Sequence, residues 1–195
     1  MTPDDLPVVL SWREDPSLYG AYRELDPIAP PQQAAWYQRM LARDDERNFV
    51  IVRWRQPEVS LGTISLLAYH PRNRRAELGR FVLGAPSHRG WGMGVEAQLL
   101  MMRYAFAHMN LYKLSLLVLA TNRDAVCPMH AALGFRHDGA YHQHVYKQGR
   151  YEDVLVMSML RHEYHQQAAE GRLGRLMSRF LPLPASLPPT SRHVT

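Results

Sequence analysis

The sequence predicts an α+β fold of the three-layer kind, a mixed β-sheet flanked by helices, and three observations predict it. Apolar spacing changes from three and four residues to two near residue 48. Residues 114–120 form an apolar run without alternation, the mark of a strand covered on both faces. Between these two regions a strand runs into a glycine-rich loop that opens onto a helix. A chain of 195 residues supports one core and leaves two independent domains marginal.

The elements follow in order. Thr2, Pro3, Asp4 and Asp5 are a helix start, a cap followed by proline and acidic residues at the positive end, with Leu6, Val9 and Leu10 as its apolar side. The stretch RELDPIAPP is too proline-rich for regular structure, and a second helix follows Pro31, with Ala34, Tyr37, Met40 and Leu41 at helical spacing. Residues 48–54 and 60–69 read as a hairpin, and residues 77–84 as a third strand. The loop APSHRGWGMG leads to a helix over residues 95–109, whose stripe is Leu99, Met102, Ala105 and Phe106. After the strand at 114–120 come a short helix at about 124–133 and strands at about 141–146 and 153–160. The domain is bounded at 1–164; residues 165–195 read as an appendage, an amphipathic helix bearing Leu173, Leu176, Met177 and Phe180, then a proline-rich tail.

Composition excludes several function classes. One cysteine makes no internal disulfide and no cysteine-based zinc site. No run of 18 apolar residues could span a membrane and the N-terminus has no signal-peptide pattern, so a cytoplasmic protein without a membrane partner is expected. The net charge of +5 rests on 23 basic residues of which only Lys113 and Lys147 are lysine. The arginines are scattered, so no nucleic-acid partner is expected. His142 and His144 share a strand face without a third ligand, and no metal is expected.

The chemistry lies in LGRFVLGAPSHRGWGMGVEAQLL. Glycines at 90, 92 and 94 let a ligand approach the backbone, and the first N–H groups of the following helix point at an anion, which makes a diphosphate the natural guest. The P-loop pattern is absent, since no Lys-Ser/Thr pair follows, and the alternating glycines do not fit the dinucleotide fingerprint. Arg89-Gly90-Trp91-Gly92-Met93-Gly94 matches the Q/R-x-x-G-x-G/A signature of the GCN5-related N-acetyltransferase (GNAT) family, which the chain resembles from residue 2 to about 161. WREDP, the ELG strand, YAFAHMNLYKL, Asn122, LGF and GRYEDVLVMSML fall in the family's order, and the chain resembles most the ribosomal-protein-alanine acetyltransferase branch.

The resemblance implies a splayed sheet, acetyl-CoA as cosubstrate, and direct acetyl transfer to a primary amine. It implies that Arg89, Gly90, Trp91, Gly92, Met93 and Gly94 hold the pyrophosphate. Phe81, Val82 and Leu83 would pair with the pantetheine arm, with Val82 N–H as the donor to the transition-state oxygen. Asn122 would bond the pantetheine, or simply cap the next helix. Glu77 is the candidate base, acting through water, against the alternative of an exposed strand-end glutamate. Relatives carry a tyrosine acid in the helix after the asparagine. Here NRDAVCPMHAALGF is one residue longer and contains Pro128, so counting back from Gly134 puts His130 in that place, unless the proline shifts the register and Met129 or His130 only lines the pocket.

Trp12 and Arg13 stand where the resemblance places acceptor residues, although a tryptophan on a helical apolar side is often core. Tyr141, His142 and Tyr146 are candidates for the opposite wall. The acceptor read this way is a small-molecule amine, an amino sugar or nucleotide-linked amino sugar. A protein N-terminus and a non-catalytic acyl-CoA-binding module are the alternatives. The family's first strand has no counterpart in the sequence, which would leave a sheet edge uncovered; with the apolar tail helix, this predicts a homodimer.

Overall fold

The computed structural model describes residues 1–22, 29–84 and 92–180. A one-turn 3-10 segment, Pro3–Asp5, opens α1 (Leu6–Glu14), and the Asp5 carboxylate accepts from the Thr2 backbone N–H at 2.6 Å and from its hydroxyl at 3.1 Å, the reciprocal cap the sequence announces. A second 3-10 segment, Pro16–Ala21, follows, and α2 spans Pro30–Leu41. The strands β1 (Arg47–Arg53), β2 (Gln56–His70) and β3 (Arg75–Leu83) form an antiparallel meander. Then come α3 (Met93–Arg103), β4 (Lys113–Leu119), α4 (Arg123–Ala132), β5 (Arg136–Lys147), β6 (Arg150–Leu160), α5 (Arg161–Ala169) and α6 (Arg172–Phe180). The predicted single helix over 95–109 ends early, because the chain widens into a π-type turn at Tyr104–His108.

The sheet is mixed, in the order β1-β2-β3-β4-β6-β5. Its one parallel pair, β3 with β4, joins only Arg75, Ala76 and Glu77 to Lys113, Leu114 and Ser115. Beyond that point the strands run on unpaired with each other, to Leu83 and Leu119. Their parting coincides with a bulge: Arg80 has φ +47°, the β2–β3 register jumps between Thr63 and Ser65, and Thr63 Oγ1 donates to the Arg80 carbonyl at 2.8 Å. An extra residue in one strand bends and twists it away from its neighbour.

The main core lies where α3, the π-type turn and α4 cover the sheet. Met102, Leu111, Leu114, Leu133 and Met159 are fully buried in it. A small second cluster, Trp12, Leu18 and Val82, forms beyond the bulge. Phe81 packs against the main core and its neighbour Val82 joins the second cluster, so the pleat divides the end of β3 between the two faces. The C-terminal segment is not a free appendage: Leu176 of α6 packs against the main core and Tyr164 of α5 stacks on Phe106 at 4.9 Å. No helix among the described residues is long and apolar enough to cross a membrane.

Candidate active site

Gly92 stands at the N-cap of α3 with φ +76°, a left-handed conformation that favours glycine. At Gly94 a Cβ would lie 3.1 Å from Phe81 Cζ and 3.3 Å from Leu83 Cδ1, so the first turn of α3 sits close against the end of β3. Both glycines therefore have structural reasons, and together they set an N-terminal helical turn, beginning at Met93, beside the parted strands. Arg89, Gly90 and Trp91 lie outside the described residues.

The parted strands provide the backbone that a pantetheine arm requires. Gly84 N–H donates to the Leu61 carbonyl at 2.8 Å, and the register Gly62 to Leu83 and Thr63 to Val82 is uninterrupted. Alternation along an antiparallel ladder then turns the N–H of Val82 toward β2 and those of Phe81 and Leu83 toward β4. The donor facing the opening is therefore Phe81 or Leu83, which corrects the expectation for Val82. Open backbone groups on β3 and an α3 N-terminus packed on the same strand end fit an extended thioester carrier ending in a diphosphate.

Asn122 ends the turn after β4 and occupies the N-cap of α4, but its side chain makes no capping bond. Glu77 is the last β3 residue paired with β4. It alternates with Ala76 and Leu78, both in the main core, so its carboxylate faces away from that core. The acid role expected of His130 does not match its placement. His130 is 5% exposed, lies edge-on to Phe135 at 5.9 Å, and has a buried Nδ1 without a partner among the described residues. Burial pushes its pKa from 6.5 down to about 4, so at neutral pH it is the neutral imidazole and not the imidazolium that would serve as an acid.

On the opposite lip, Trp12 is 8% exposed and its indole covers Gly84, where a Cβ would overlap the ring. Tyr22 packs on the same cluster, burial pushes its phenol up to about 12, and the Arg13 guanidinium lies 5.1 Å from its ring centre. Of the expected opposite wall, Tyr141 and His142 sit on the edge strand β5, separated from β4 by β6. Tyr141 rests on His144, and His142 pairs with Asp153 at 3.1 Å. Tyr146 packs on Tyr151 beside the β5–β6 turn. These three are exposed, and the structure does not bring Tyr141 and His142 to the opening.

Sequence reasoning missed a polar cluster next to it. Lys147 is 6% exposed and its Nζ donates to the carbonyls of Tyr19 and Tyr22, both at 2.7 Å. Buried Glu152 accepts from Thr121 Oγ1 at 2.7 Å and pairs with Arg150 at 3.3 Å. One signal was available: lysine is rare in this arginine-rich chain. Among the described residues no cluster of three or more His, Cys, Asp or Glu could hold a metal ion.

The acetyltransferase (GNAT) domain family matches residues 1–136. The spermidine N(1)-acetyltransferase of Escherichia coli (strain K12) is 29% identical over 157 residues, which cover 80% of this chain and 76% of that protein. The uncharacterized N-acetyltransferase p20 of Bacillus licheniformis is 26% identical over 167 residues, covering 84% and 92%. The Vibrio cholerae spermidine N-acetyltransferase structure in complex with CoA and spermine superposes with a TM-score of 0.76 at 24% identity, covering 85% of this chain and 95% of that one. A dodecameric structure of the Vibrio cholerae enzyme superposes with a TM-score of 0.71 at 24% identity, covering 86% and 95%.

These relatives correct two expectations. The similarity runs to spermidine acetyltransferases and not to the ribosomal-protein branch. The homodimer expectation, built on an uncovered edge and an apolar tail, is overturned by the dodecameric relative, and Leu176 is already accommodated within the chain's own core. With the family spanning residues 1–136 and the sheet parting where the family requires it, the chain belongs to the GNAT acetyltransferases and is an acetyl-CoA-dependent N-acetyltransferase, moving the acetyl group of its cosubstrate to an amine.

Proposed function

We propose that the acceptor is a small primary amine of the polyamine class. The observation that carries this reading is the similarity to the Escherichia coli spermidine N(1)-acetyltransferase, which extends over 80% of the chain. A net charge of +5 opposes long-range steering of a polycation, so recognition falls to local carboxylates such as Glu77, on the side turned away from the main core.

The acceptor arrives largely as an ammonium, which has no lone pair for attack. Glu77 orients water that carries this proton away, since a carboxylate is too weak a base to take it in one step. The free amine attacks the thioester carbonyl carbon, and the N–H of Phe81 or Leu83 stabilises the oxygen as it gains charge. The C–S bond then breaks, the attacking nitrogen gives up its second proton to water, and the thiolate takes a proton from water, because burial keeps His130 from carrying the charge of an imidazolium acid. Asn122 and the first turn of α3 hold the thioester carrier during transfer.

Release of free thiol from acetyl-CoA, measured against spermidine, spermine, nucleotide-linked amino sugars and N-terminal peptides, tests the assignment. A kcat/KM at least about 100-fold higher for the polyamines is expected, a gap of about 3 kcal/mol. Preference for the sugar or the peptide would overturn it. Tight acetyl-CoA binding without release under any acceptor would point instead to a non-catalytic acyl-CoA-binding module.

A further inference from the structure

The chain uses lysine only twice among 23 basic residues, and both lysines are engaged at single points. Lys113 Nζ reaches the Asp138 carboxylate at 2.8 Å, across β4, β6 and β5. Lys147 is the more unusual. It is the last residue of β5, it is 6% exposed, and its ammonium lies between two backbone carbonyls of a segment some 125 residues earlier in the chain, Tyr19 and Tyr22. Tyr19 lies within the 3-10 segment Pro16–Ala21, and Tyr22 is its C-cap. An ammonium is a compact charge with three rotatable donors and can sit between two carbonyls.

The segment held in this way forms one side of the opening. Leu18 packs with Trp12 and Val82, Tyr22 packs on that cluster, and Trp12 covers Gly84 at the end of β3. Asp15 opens the segment by accepting from Ser17 N–H at 2.8 Å, but beyond this and its own turns the segment's described polar tie to the sheet is Lys147. The charged groups shown beside the ammonium come from β6. Burial lowers the Lys147 pKa, the Glu152 carboxylate of β6 partly offsets this, and Arg150 pairs with the same carboxylate. Thr121, which holds Glu152, directly precedes Asn122. The polar cluster thus joins the acceptor lip to the turn expected to bind the cosubstrate.

We propose that Lys147 is a positioning residue for the acceptor: by clamping the carbonyls of Tyr19 and Tyr22 it fixes the lip against β3 and so sets the amine-binding geometry without touching the reacting atoms. This rests on the reading of the opening between β3 and β4 as the site of amine transfer. A lysine needed only for stability would change melting behaviour and leave the kinetic constants of the folded enzyme alike.

The test uses the full chain with spermidine and acetyl-CoA. Lys147→Met, which keeps the stem and removes the charge, is expected to raise the KM for the amine about tenfold or more, while the KM for acetyl-CoA stays within about twofold. Lys147→Gln, milder and able to reach one carbonyl, is expected to give an intermediate rise and carries the same test if the methionine variant fails to fold. Hydrogen exchange on the wild-type chain is expected to show protected amides at Leu18 and Tyr22, and faster exchange over residues 16–22 in either variant. A folded neutral variant with an unchanged amine KM overturns the proposal, as does a variant in which both KM values rise together or a wild-type segment that is unprotected. A wild-type enzyme inactive on every amine would instead remove the underlying reading, so the two failures are distinct.

Discussion

Replacing His130 by phenylalanine separates a catalytic from a packing role. The unfolded imidazole titrates near 6.5, and loss of hydration on burial brings the folded one down to about 4. As pH falls, the unfolded chain takes the proton first, so stability is full above about 6.5 and is lost progressively toward 4. At about 1.36 kcal/mol per pH unit the loss has a ceiling of about 3 kcal/mol, of which about 2 kcal/mol is gone by pH 5. Phenylalanine cannot titrate, keeps the ring beside Phe135, and removes the buried Nδ1 that lacks a partner among the described residues. Urea unfolding of both proteins between pH 5 and 8 should therefore show the variant about 2 kcal/mol better off, relative to wild type, at the acid end than at the alkaline end. The acids held low by their partners, such as Asp138 beside Lys113, contribute equally to both proteins and cancel. Turnover at pH 7.5 should stay within a few-fold of wild type. Parallel stability curves, or a fall in turnover of about 10² to 10⁴-fold, the worth of a positioned acid, would refute the reasoning.

Two further outcomes concern the two ends of the opening. Gly92→Val forces a β-branched residue to φ +76°, a strain of at least about 1 to 2 kcal/mol, and should weaken acetyl-CoA binding about tenfold or more in calorimetry; unchanged affinity would dissociate this turn from the cosubstrate. Glu77→Gln should lower kcat/KM for the amine about 10²-fold with acetyl-CoA affinity preserved, and a wild-type rate would leave proton removal to solvent alone.

Much of the scaffold was legible because burial writes itself as period. The buried strand β4 and the amphipathic α2 and α4 were found within a few residues of their observed limits. Helix α5 was not: RHEYHQQAA offers no apolar face at spacing three and four, and only Gln167 of it is buried. Strand β5 runs well beyond the 141–146 that the sequence predicts, because its residues are exposed on an outer strand and do not alternate. The cofactor side was readable from its glycines, which answer to local backbone needs at Gly92 and Gly94. The acceptor side was misread at Tyr141 and His142, because a residue's distance from the opening depends on strand order, and the order β4-β6-β5 is not written in any local pattern. Lys147 escaped for the same reason, since its partners lie at residues 19 and 22.

The bulge at Arg80 links scaffold and site, and it yields a comparison that can fail. Without the extra residue, the pleat that puts Ala76 and Leu78 in the main core would put Val82 there as well. With it, Phe81 turns to the main core and α3 while Val82 joins Trp12 and Leu18, so one strand end borders both the α3 side and the Trp12 side, the faces proposed for cosubstrate and acceptor. Arg80 adopts φ +47° and donates to Glu46 at 2.6 Å and Asn48 at 2.8 Å; burial raises the Glu46 pKa, but the Arg80 bond and charge outweigh it and hold the carboxyl below its usual range. Arg80→Ala and Arg80→Gly both remove these bonds, so their difference isolates the backbone. In an ordinary strand glycine is the worse of the two by roughly 0.5 to 1 kcal/mol, through the entropy of the unfolded chain. At φ +47° an alanine Cβ meets the following carbonyl at a cost of roughly 1 to 2 kcal/mol, which exceeds that penalty. Arg80→Gly should therefore unfold at the higher urea concentration, by about 0.5 to 1 kcal/mol, and keep acetyl-CoA binding. If Arg80→Ala is the more stable, the strand has no bulge that demands this conformation, and the division of β3 between the two substrate faces loses its cause.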